Sequence, residues 1–107
     1  MTKTTIAAAL VLTASLGTAA AADAAAGREK AGMCRTCHGI DGVARIPEAP
    51  NLAGESAIYL QTQLKAFRGG KRTHEMMSVI AAGLSDEDIA DLSAWYSSIE
   101  ISVKMPE

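Results

Sequence analysis

Aromatic side chains are scarce in this chain: one Trp, two Tyr and one Phe among 107 residues. Trp95, Tyr59, Tyr96 and Phe67 carry all the aromatic bulk, so the polypeptide is under-filled for its length. Only two cysteines and two histidines are present. A tetrahedral zinc site built on Cys34 and Cys37 would need both His38 and His74 as its remaining ligands. Cationic runs are missing as well. None is longer than Lys71-Arg72, and the formal charge is −2, which argues against a nucleic-acid partner. No stretch alternates apolar and polar residues in the manner of a strand, and nothing repeats internally. Those absences leave an all-α chain. Long apolar runs are limited to one, Ile6 to Leu16, too short for a stable membrane span.

The chain does have Cys34-Arg35-Thr36-Cys37-His38, a C-x-x-C-H pattern. This is the spacing for covalent attachment of a c-type haem. Two intervening residues let one short turn present both thiols to the two vinyl groups. The adjacent imidazole then lies under the iron, through a ring nitrogen that must be neutral. Gly39 lets the backbone leave the porphyrin edge closely. Three other readings compete. A thioredoxin-like dithiol normally opens a helix after a strand, and no βαβ pattern is present. Half a zinc site would need two more ligands, and only His74 remains beside His38. A structural disulfide would suit an oxidising compartment. The haem reading also accounts for the thin core, because a buried macrocycle supplies the missing apolar volume.

The N-terminus points to an exported protein. Lys3 gives a positive start, Ile6 to Leu16 an apolar stretch, and Thr18 to Ala22 small residues ahead of Asp23. This is the layout of a secretory signal peptide, residues 1–22, with an A-x-A-like cut between Ala22 and Asp23. The alternative is an uncleaved N-terminal anchor. The cut would leave a single domain over residues 23–107. Cleavage removes one cation and no acid, so the charge becomes −3. A domain this small usually needs a staple, metal or cofactor. Haem c is attached outside the cytoplasm, so export to the periplasm agrees with the motif.

Four helical segments are expected. Ala24 to Met33 is alanine-rich and leads into the motif; Gly27 inside it suits either tolerance or a close helix crossing. Gly39 to Gly54 reads as loop, with Asp41-Gly42 as a turn and Pro47 and Pro50 excluding helix before them. Glu55 or Ser56 caps the next helix, whose Leu60, Leu64 and Phe67 share a face up to Gly69-Gly70. Arg68, Lys71 and Arg72 form a cationic turn, either solvated or near haem propionates. His74 to Gly83 reads as a short helix or turn. Ser85-Asp86-Glu87-Asp88 opens the last helix as a capping box. Ile89, Leu92, Tyr96 and Ile99 form its inner stripe.

A haem held by His38 alone would stay open on its other face; a thioether there closes it and raises the potential. Met1 leaves with the signal, Met33 is too near the cysteines, and Met105 is in the tail. Met76 and Met77 remain, with His74 as a rival. The matching runs are Cys34-x-x-Cys37-His38-Gly39, Pro50 to Gly54, Tyr59-Leu60-x-x-Gln63-Leu64-x-x-Phe67-x-x-Gly70-x-Arg72 and Met77-Ser78-x-Ile80 to Asp86. In these the chain resembles a class I c-type cytochrome of the small bacterial kind, similar to a cytochrome c-553 or one half of a di-haem cytochrome c4.

The resemblance implies the small class I cytochrome c fold around one covalent haem c. It implies Met77 as axial ligand opposite His38, and Pro50 on the proximal side, its carbonyl orienting His38. It implies that Gly27 crosses Trp95 or Tyr96. His74-Glu75-Met76 departs from the pattern, where relatives carry uncharged residues and proline. The function implied is one-electron transfer between redox protein partners, a dehydrogenase donor and a cytochrome or oxidase acceptor. The alternatives are a permanent subunit of a periplasmic dehydrogenase acting on sulfide or sulfite, and an open-site haem enzyme or sensor.

Overall fold

The computed structural model describes residues 1–15 and 21–107. Residues 1–15 are exposed and carry no regular structure; residues 16–20 of the expected leader, with part of its small-residue run, lie outside the described residues. From Asp23 onward every regular element is helical: α1 (Ala24–Lys30), a 3₁₀ turn (Ala31–Met33), α2 (Arg35–His38), α3 (Ala57–Gly69), α4 (Met77–Ala82) and α5 (Asp86–Ser98).

Local chemistry sets the ends. Asp23 caps α1, its carboxylate accepting from the amides of Ala25 and Ala26. Ser56, rather than Glu55, caps α3 through Tyr59 N–H, and Gly70 closes that helix in the left-handed conformation. At α5 the expected capping box is complete, with Ser85 and Asp88 exchanging hydrogen bonds at 3.0 Å in both directions. Two orphan amides are thereby satisfied.

The largest helix contact is between α1 and α5. Gly27 makes it possible. A Cβ there would lie inside the Asp91 carbonyl and 2.9 Å from Cβ of Trp95. Trp95, not Tyr96, is therefore the aromatic at the crossing. Four further contacts hold it. Lys30 reaches the buried Asp91 at 2.8 Å and Asp88 at 3.0 Å. Arg28 lies over the Trp95 ring at 5.5 Å, within cation–π range. The Asp23 amide donates to Asp91 at 2.9 Å.

The buried cluster is small: Ala31, Leu60, Leu84, Ile89, Leu92 and Tyr96. Ile89, Leu92 and Tyr96 are the inner stripe of α5, and Ile99 packs partly buried against it. Ile58 on α3 is 82% exposed and outside the core. Arg68, expected in a solvated or propionate-facing turn, instead crosses to α5. It donates to the Leu84 carbonyl and, at 2.6 Å, to Asp86. That guanidinium holds the Asp86 carboxyl below its usual range.

Candidate cofactor site

One turn of helix builds the thiol pair. His38 N–H donates to the Cys34 carbonyl at 2.9 Å and Gly39 N–H to Arg35 at 3.0 Å. Residues three apart share a face of such a turn, which sets Cys34 and Cys37 side by side. Gly39 then takes φ 76° and ψ 148°, a region essentially closed to side chains. A Cβ there would meet the Val43 carbonyl.

The loop after Gly39 folds back under His38 by named bonds. Cys37 C=O accepts from Arg45 N–H at 2.8 Å, Gly42 C=O from Leu52 N–H at 2.8 Å, and the Asn51 side chain from Ala44 N–H at 2.8 Å. These place the Pro50 carbonyl 2.9 Å from Nδ1 of His38. A carbonyl has no proton to give, so Nδ1 carries the hydrogen. Nε2 keeps its lone pair, the state a metal requires of imidazole.

Two aromatic tips fix the same loop from α5. Tyr96 O–H donates to Gly39 C=O at 3.0 Å, and Trp95 Nε1–H to Ile40 C=O at 2.9 Å. Neither role is visible in the spacing of the sequence. The available signal was chemical, since a Tyr or Trp near a core seeks an acceptor for its polar tip.

Cys34, Cys37 and His38 open onto a cavity of about 590 Å³, within the range of cofactor sites. Its walls include Leu52, Leu60, Leu64, Phe67, Ile80 and Leu92. Pro50, Met76, Met77, His74 and Arg72 also line it. All five predicted site residues, Cys34, Cys37, His38, Pro50 and Met77, thus border one space. The buried Ser93 hydroxyl, without a partner among the described residues, lines it too. The residues present therefore fit a flat apolar group with an iron centre: two thiols, one oriented imidazole and thioethers around an apolar hollow.

Helix periodicity separates the two methionines. Met77, Ile80, Ala81 and Leu84 stand at i, i+3, i+4 and i+7, and Ala81 and Leu84 are buried. Met77 is half-buried on that stripe. Met76 is 57% exposed, on the side of the exposed Val79. His74 serves α4: its Nδ1 accepts from the amides of Met76 and Met77 at 3.2 and 3.3 Å. Arg72 lies 4.4 Å over the Phe67 ring and donates to Gln63.

Burial pushes the Cys34 thiol up to about 11. A redox-active dithiol works with a depressed thiol, the opposite direction. No group of three or more metal-ligating His, Cys, Asp or Glu side chains occurs among the described residues, and the zinc reading fails with it.

The cytochrome c family model matches residues 24–100. The chain belongs to the cytochrome c family. It is 53% identical to cytochrome c-554(548) of Halomonas halodenitrificans over 83 residues, 75% of this chain and the whole of that protein. It is 44% identical to cytochrome c4 of Pseudomonas aeruginosa over 82% of this chain and 44% of the relative. The crystal structure of reduced cytochrome c4 from Pseudomonas stutzeri superposes with a TM-score of 0.71 at 37% identity, over 78% of this chain and 48% of that one. The chain spans less than half the length of these cytochrome c4 relatives. This cytochrome has the all-helical class I fold, takes one covalent haem c at its single Cys pair, and is an electron carrier. No described helix is long and apolar enough to cross a membrane.

Proposed function

We propose that Cys34 and Cys37 hold the haem as thioethers, that His38 and Met77 are its axial ligands, and that Pro50 orients His38. The cytochrome acts in the periplasm after removal of residues 1–22. The observation that carries this reading is the His38 tautomer. Pro50 accepts from Nδ1, which leaves Nε2 free beside a cavity that Met77 also lines.

The bound haem supplies a one-electron couple; the protein's part is to bind, orient and tune it. Tyr96 and Trp95 hold the peptide after His38, so the imidazole keeps one orientation in both oxidation states. The apolar walls exclude water and favour the less charged state of the centre. Met77, turned inward by the α4 stripe, closes the second face against exogenous ligands.

Partners are redox proteins, with a dehydrogenase as donor and a cytochrome or oxidase as acceptor. A Stutzerimonas stutzeri relative, 44% identical over 57% of this chain and 29% of its own length, carries the description thiosulfate dehydrogenase electron acceptor. That description supports a dehydrogenase as donor. Docking is proposed at the cavity rim, where Met33, Ile46 and Met76 are exposed apolar residues. Arg35, beside Cys34 in the chain, is an exposed cation, whereas Arg45 is engaged with Asp41 at 3.2 Å.

The test is spectroscopic. Reduced holoprotein should be low-spin and unchanged by carbon monoxide. Rapid carbon monoxide binding would defeat the Met77 assignment and favour an open-site protein. Co-purification with a partner through a high-salt wash would favour the permanent-subunit reading.

A further inference from the structure

Asp91 is a buried carboxylate that the cofactor site does not use. It is 3% exposed and accepts two hydrogen bonds: from Nζ of Lys30 at 2.8 Å and from the backbone nitrogen of Asp23 at 2.9 Å. Lys30 also pairs with Asp88. The cluster thus holds two anions and one cation. Its remaining contact is a neutral peptide N–H, from the residue that follows the expected leader.

We propose that the mature cytochrome begins at Asp23, and that its new α-ammonium group is the second cation of this cluster, seated on Asp91. The inference rests on the export reading above and adds its structural consequence. Hydrolysis breaks the Ala22–Asp23 amide. Water, in the active site of a signal peptidase, gives its oxygen to the Ala22 carboxylate and one hydrogen to the Asp23 nitrogen, and its second hydrogen leaves to solvent as a proton. That nitrogen takes a further proton from solvent. It need not move, because it already lies at hydrogen-bond distance from Asp91. Its charge changes from zero to +1, and the cluster becomes two anions against two cations.

The geometry also selects the bond. A cut before Ala22 leaves an uncharged amide on Asp91 and carries the ammonium onto an exposed extension. A cut after Asp23 removes both the ammonium and the α1 cap that Asp23 supplies to Ala25 and Ala26. Only the cut between Ala22 and Asp23 keeps the cap and charges the buried contact. A charge-assisted hydrogen bond is roughly twice as strong as a neutral one, and one partner here is already desolvated.

Two measurements test this separately. Intact mass of the holoprotein exported from the full-length gene should show a chain starting at Asp23. An uncut chain would overturn cleavage and favour the uncleaved anchor; a cut elsewhere would overturn the assigned bond. Independently, two holoproteins are released from a fusion by a site-specific protease, one starting at Asp23 and one at Ala21. Both keep an N–H on Asp91, and only the first puts a charge there. The Asp23 form should melt several degrees higher, and Asp91→Asn should erase that difference in a double-mutant comparison. Equal melting of the two wild-type forms would overturn the ion pair, whether or not the Asp91→Asn protein folds.

Discussion

At Met77 and Met76, adjacent residues have different surroundings. Both line the cavity, but Met77 is half-buried on the inward stripe, whereas Met76 is on the exposed side of the same turn. Met77→Ala should open the iron to carbon monoxide and lower the reduction potential, since axial ligands move haem potentials over about 0.8 V. Met76→Ala should do neither, and both are read by spectra and redox titration. His74 provides a second residue-scale test. Its Nδ1 accepts from the amide of Met77, the first of α4, and from that of Met76 just before it. His74→Ala should destabilise the holoprotein by about 1 kcal/mol, as lost caps do, while His74→Asn, which can cap, should keep most of the stability. Thermal or denaturant melts decide this. In the sequence His74 stood as a rival ligand, because a histidine near a methionine cannot be told from a cap without the backbone.

The α1–α5 crossing holds the bonds that span the greatest distance in sequence. Gly27→Ala adds one carbon where the Asp91 carbonyl already sits. Overpacking of this kind costs about 1–3 kcal/mol, so holoprotein melts should show that loss. The crossing also has a pH signature. Lys30 first, and the Asp23 amide next, hold the Asp91 carboxyl below its usual range. Its Ser85 cap, then Lys30, does the same for Asp88. A depressed carboxyl contributes stability that is fully present above its unfolded value, about 3.9, and is lost as pH falls through the folded one. Melting temperature should therefore be flat from pH 7 to about 5 and fall below about pH 4. Asp91→Asn should flatten part of that fall.

On the scale of the whole molecule, what could be read in advance depended on sequence distance. The helices were legible because their caps and stripes are local: Ser56, Gly70, the Ser85–Asp88 box, and Leu60, Leu64 and Phe67. The thiol pair and His38 were legible because one helical turn makes them. The bonds that complete the site were not. Tyr96 to Gly39, Trp95 to Ile40 and Arg68 to Asp86 link positions 57, 55 and 18 apart, and spacing carries no information about them. Pro50 under His38 came from family resemblance alone, whereas a close crossing at Gly27 was one of two readings of the residue and resemblance added its aromatic partner. Docking belongs to this scale too. Arg35→Glu should slow electron transfer with an acidic partner at low salt, and the loss should shrink as salt rises. Arg45→Glu should do less, because its Asp41 partner already offsets it. Second-order rates across ionic strength would show the contrast.

The α1–α5 crossing also bears on the rate of folding. Its bonds join residues 61 and 68 positions apart, so the closing contact is among the longest this chain can make. Helical proteins with local contacts fold in microseconds to milliseconds, and non-local closure slows them. Helix growth here is a fast local event; the encounter of the two ends of the domain is the slow one. Refolding of holoprotein should therefore slow with Gly27→Ala. It should be indifferent to a change at exposed Ile58 on α3, and stopped-flow traces would separate the two.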